Sequence, residues 1–173
     1  MRIVHTSVAV LSISAGSAWA GAFDNYRAAC IESAGDLAKV RATAAARGWG
    51  KLSDADREIL APGNERSVEG WAISEGGARY LVSIKAGAAG GAAGDFSGAG
   101  IATCTLSGPK TDDVAAIKTY SEFLKRKPAH DENVEGNRTA TWSVTEGGAL
   151  TMHYYFGGAA ATSSIYSLSV VRK

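Results

Sequence analysis

Two short stretches of this chain nearly repeat each other. WAISEGGA begins at Trp71 and WSVTEGGA begins at Trp142, 71 positions later. Glu75-Gly76-Gly77-Ala78 matches Glu146-Gly147-Gly148-Ala149 without change, and Gly87-Ala88-Ala89 matches Gly158-Ala159-Ala160 at the same offset. Similarity at a fixed offset marks a repeated supersecondary unit. In each copy a Trp and a β-branched residue alternate with small or polar ones, which is a strand signal. Each Gly-Gly then accepts positive φ without steric cost and supplies a two-residue hairpin turn. A second strand follows at 79–86 or 150–156, then a run of small residues, then a third strand at 101–108 or 165–172.

A helix precedes each copy. Residues 36–47 place Leu37, Val40 and Ala44 on one face, with Gly48 ending the helix and Trp49 packing back. Residues 112–126 place Val114, Ile117, Ser121 and Leu124 on one face, with Thr111 as cap and Lys125-Arg126-Lys127 at the end favoured by the helix dipole. Another helix, 23–34, aligns Phe23, Tyr26 and Cys30, and a short turn is expected at 53–60 with Ser53 as its cap. The expected fold is therefore α+β: an N-terminal helix, then two helix-strand-strand-strand repeats at about 36–108 and 112–173. They build one antiparallel sheet of six strands with the helices on one face.

The copies disagree in one respect. Leu150, Met152, Tyr154 and Phe156 make an apolar row, but their counterparts at the offset are Arg79, Leu81, Ser83 and Lys85, and the first copy shows Tyr80, Val82 and Ile84 as its apolar row. A one-residue slip exchanges a strand's faces. Either the two turns differ by a residue or the likeness is convergent hairpin chemistry.

The first 20 residues read as a secretory signal peptide: Arg2, an apolar run from Ile3 to Ile13, and Ala18-Trp19-Ala20 as a cleavage pattern. That run is well short of the roughly 20 residues of a spanning helix, so no transmembrane segment is expected after cleavage. Residues 21–173 would form one domain with a periplasmic or secreted home. Without Arg2 the remaining chain carries 17 basic and 17 acidic residues. That balance argues against nucleic acid as a partner. Cys30 and Cys104, an even pair in an exported chain, are expected to form a disulfide.

No cofactor or metal signature is present. The Gly-rich run 87–100 lacks the Gly-Lys-Ser/Thr triplet of a phosphate loop and reads as a flexible linker, with Asp95-Phe96 as a contact point for a partner. HDENVE (130–135) lacks the oxygen-ligand alternation of a calcium loop and reads as a solvated loop. Asn137-Arg138-Thr139 matches a glycosylation sequon, meaningful only in a eukaryotic secretory pathway. His153, Thr151 and Tyr155 share the strand face opposite Leu150, Met152 and Tyr154, and are expected to face solvent or a ligand.

Phe23 a few residues before Cys30, a helix running into Gly48-Trp49, and Cys104 before a second helix together resemble exported proteins of Gram-negative bacteria with no known activity. The resemblance implies a periplasmic home and a disulfide, and no chemistry. The function expected from the residues is non-catalytic binding, with a protein of the cell envelope as partner. The alternatives are an inhibitor or immunity-type protein acting on a partner enzyme, and a hydrolase using His153.

Overall fold

A computed structural model describes residues 17–61, 68–88 and 100–172 of the chain. Four helices and an eight-stranded antiparallel sheet make an α+β fold. Helix α1 (Ser17–Tyr26) continues as a π-helical turn, Arg27–Ile31, which closes with Glu32 N–H donating to the Arg27 carbonyl. Helix α2 spans Leu37–Ala46, α3 spans Asp54–Leu60 and α4 spans Asp113–Leu124. The strands are β1 (Gly50–Lys51), β2 (Glu69–Glu75), β3 (Ala78–Ala88), β4 (Gly100–Pro109), β5 (His130–Val134), β6 (Asn137–Glu146), β7 (Ala149–Gly157) and β8 (Ser163–Arg172).

The spatial order is β1-β2-β3-β4-β8-β7-β6-β5, so the last strand of each half, β4 and β8, meet at the centre. The sheet exceeds the six strands expected by β1 and β5. HDENVE is mostly strand, not loop: His130–Val134 pairs with Asn137–Thr141 around a turn at Glu135 and Gly136, both with positive φ. Its exposed, mostly polar and charged residues suit an edge strand, where they discourage pairing with other chains.

The two Gly-Gly turns are the same length. Gly76 and Gly77 take φ of +58° and +78°, Gly147 and Gly148 take +57° and +79°, and the closing pairs are Glu75 with Ala78 and Glu146 with Ala149. Both central φ values are positive, as a two-residue hairpin with the native strand twist requires. Equal turns mean that the same positions point the same way in both halves. Tyr80, Val82 and Ile84 are buried in the first; His153 and Tyr155 are buried in the second.

Helices α1, α2 and α4 cover that buried face. Phe23, Tyr26 and Cys30, then Val40 and Ala44, then Ala116, Ile117 and Tyr120 join Trp71, Val82, Leu106, Trp142, Tyr166 and Leu168 in one core. The face of α4 differs from the sequence reading: Tyr120 rather than Ser121 turns inward, and Val114 is exposed. Asp112, not Thr111, caps α4 by accepting from Ala115 N–H. Asp36 caps α2, and Trp49 N–H closes its other end on the Ala44 carbonyl past Gly48, whose φ is +66°. Cys30 and Cys104 are disulfide-bonded with Cα atoms 5.4 Å apart, tying the π turn to the sheet centre. No helix among the described residues is long and apolar enough to cross a membrane.

Helix α3 takes the other face. Ser53 caps it in a capping box with Asp56, and both Asp56 oxygens accept from Arg79 at 2.8 Å. Arg79 alternates with the core-facing Tyr80, so its guanidinium and α3 lie on the side opposite the main core. Leu52 packs over Gly70 on this side; a β-carbon on Gly70 would collide with Leu52 and with the Val82 carbonyl.

Candidate binding face

The sequence placed His153, Thr151 and Tyr155 on an exposed surface. The structure corrects this. His153 is 4% exposed, Tyr155 is fully buried and Thr151 is half-buried, because α4 lies over this side of β7. The Tyr120 ring stacks on Trp142 with centroids 4.6 Å apart and meets the His153 ring edge-on. Burial holds the His153 imidazole down to about 4, so it is neutral at ordinary pH. No carboxylate hydrogen-bonds it among the described residues, and a general base needs an orienting partner. The Tyr155 hydroxyl lies 3.3 Å from Thr111 Oγ1, which also contacts the Tyr166 and Ser164 hydroxyls at 3.2 and 2.9 Å. That network anchors the start of α4 to the sheet. Asp95 and Phe96 lie outside the described residues.

The apolar row read as core is turned outward instead. Met152, Tyr154 and Phe156 are half-buried or exposed on the face that α1, α2 and α4 do not cover. Register extends this row across four strands. Thr103, Ser169, Met152 and Ser143 form one line; Thr105, Ser167, Tyr154 and Thr141 the next; Ser107, Ile165, Phe156 and Thr139 the third. The lines are separated by about 7 Å, two residues of strand rise, and each spans about 14 Å at the normal strand spacing.

None of these twelve positions is charged, although a fifth of the chain is. Eight carry a Ser or Thr hydroxyl and one a phenol. Thr103 and Ser169 hydroxyls are 3.0 Å apart, Thr105 and Ser167 hydroxyls 3.2 Å apart. A hydroxyl offers one donor and two acceptor lone pairs, so each bonded pair keeps one hydrogen and several lone pairs for something else. Burial raises the Tyr154 hydroxyl above its ordinary value, so the ring presents a neutral phenol. The charged groups lie at the margins: Lys85 beside Thr103, and His130 with Glu132 beside Thr141 and Thr139. Helix α3 walls the β2–β3 side.

A groove of about 1290 Å³ lies at the β1–β2 edge, lined by Leu37, Trp71 and Ile84 and by Arg57 and Glu58 of α3. Its lining carries both signs of charge and singles out no ligand. Among the described residues no group of three or more His, Cys, Asp or Glu is placed to hold a metal ion. Comparison with known proteins returned no matching family model, no matching curated protein and no matching solved structure.

Proposed function

We propose that the chain is an exported, non-catalytic binding module, and that its ligand is an uncharged saccharide chain laid across the β4-β8-β7-β6 face. The observation that carries this reading is the twelve-position patch without a charge, with hydroxyl rows beside Tyr154 and Phe156. Sugar rings have apolar C–H faces that stack on aromatic rings and hydroxyl edges that exchange hydrogen bonds with Ser and Thr. The same chemistry disfavours the rivals. Nucleic acid and phosphate groups ask for Lys or Arg, and the patch has neither. Protein interfaces are depleted in Ser, and four of the twelve positions are Ser. A hydrolase built on His153 lacks access to solvent, because that ring lies beneath Tyr120.

Export rests on the leader-like first 20 residues, and it is supported by the Cys30–Cys104 disulfide, since such bonds persist in oxidising compartments. The two halves are read as copies of a helix-plus-four-strand unit; the mirrored strand order and the identical hairpins support that. Retention of the purified chain on immobilised neutral polysaccharide, compared with Tyr154→Ala, tests the function. Retention lost in the variant supports it. Equal behaviour of the two, or capture only of an envelope protein through this face, refutes it.

A further inference from the structure

Glu75, the last residue before the first Gly-Gly turn, reaches across to α1. Its Oε2 accepts a 2.6 Å hydrogen bond from the buried Asn25 side chain. The same oxygen lies 3.4 Å from where a β-carbon on Gly21 would stand, with the Tyr80 hydroxyl 3.9 Å from that point. Gly21 is the residue that follows the Ala18-Trp19-Ala20 cleavage pattern. Glu146, at the same hairpin position in the second half, is exposed and makes no such contact among the described residues. The carboxylate therefore answers to something particular to the first half.

We infer that Glu75 is the receiving site for the amino terminus that processing creates. The inference rests on the export reading above. In the uncut chain Gly21 is internal to α1 and its nitrogen is an amide. Cutting the Ala20–Gly21 bond adds water across it, leaves a carboxylate on the released leader and an α-ammonium on Gly21. That ammonium sits at the new start of the helix, where the helix dipole disfavours a cation. A carboxylate within a few ångström offsets this and accepts the new N–H donors. Glu75 already holds that place through Asn25, so the receptor is built before the group arrives. The pairing pins Phe23 and Tyr26 into the core from the start of the processed chain.

The test uses protein released from a tag so that it begins at Gly21, as wild type and as Glu75→Gln, which keeps an oxygen for Asn25. Amine-acylating reagent at pH 7 is expected to label the wild-type terminus at least three-fold more slowly. The wild-type melting temperature should also fall as pH rises through the ammonium's folded pKa, which the carboxylate raises above the free value of about 8. E75Q should lack that fall. If E75Q does not fold, N-terminal acetylation of the wild type replaces it and should remove the same step. Equal labelling rates and equal pH profiles overturn the inference. The mass of the exported protein is a separate readout: a terminus other than Gly21 sinks the processing reading while leaving the contact itself tested.

Discussion

The His153 ring meets the Tyr120 ring edge-on with centroids 5.7 Å apart, in a site where its Nδ1 has no hydrogen-bond partner among the described residues. Desolvation lowers its pKa from the ordinary 6.5 to about 4. The unfolded chain therefore binds a proton between these values that the folded chain refuses. Stability is fully present above about pH 6.5 and is lost as pH falls toward 4, by an amount on the order of 3 kcal/mol. Urea unfolding at pH 7.0, 5.5 and 4.5 should show this loss, and His153→Leu should abolish most of the pH difference whatever it does to stability at pH 7. An unchanged pH difference in the variant contradicts the assignment.

The Cys30–Cys104 bond closes a separation of 74 residues. In the loop-entropy account such a closure stabilises by about 4 kcal/mol. Replacing both cysteines with Ser should lower the denaturation midpoint of the wild type to that of its reduced form. Reduction should leave the double variant unmoved. A variant as stable as the oxidised wild type would show that the bond contributes nothing.

Asp56 does two jobs at once, completing the α3 cap with Ser53 and accepting hydrogen bonds from the two terminal N–H groups of Arg79. The Arg79 guanidinium first, and the Ser53 hydroxyl second, hold its carboxyl well below the usual range. Its contribution is present above the unfolded value of about 4 and is lost as pH falls below it. Asp56→Ala should cost roughly 1–3 kcal/mol, from a lost cap and a lost charged acceptor. Arg79→Ala should cost less than about 1 kcal/mol, because that guanidinium is half exposed. Thermal melts of the two variants decide the order.

The sequence carries the α+β class, helices α2, α3 and α4, the hairpins and the cysteine pairing, because each has a local signature: a cap, a Gly-Gly pair, an even cysteine count; the N-terminal helix expected at 23–34 instead runs from Ser17 and ends in the π turn at Ile31. The sequence misassigns the buried and open faces of β7 for a physical reason. Leu150, Met152, Tyr154 and Phe156 are the more apolar row of β7, and apolarity alone points to burial. The core of this half is instead made of large amphipathic rings, Tyr120, Trp142, Tyr155 and Tyr166, among which a neutral His153 fits. The clue was present in the repeat. Equal Gly-Gly turns transfer the faces of Tyr80 and Val82 directly to Thr151 and His153. β5 was missed because its pattern, HDENV, has no buried side to alternate with.

The twelve-residue face emerges only when four separate strands are placed in register, which no single segment discloses. Its central claim is tested most directly by titrating the isotope-labelled chain with neutral oligosaccharides and following amide and methyl resonances. The account predicts shifts concentrated at Thr105, Thr141, Met152, Tyr154, Phe156 and Ser167, reversed by Tyr154→Ala. Shifts confined to the groove between α3 and Trp71, or none with any neutral sugar at millimolar concentration, would contradict it.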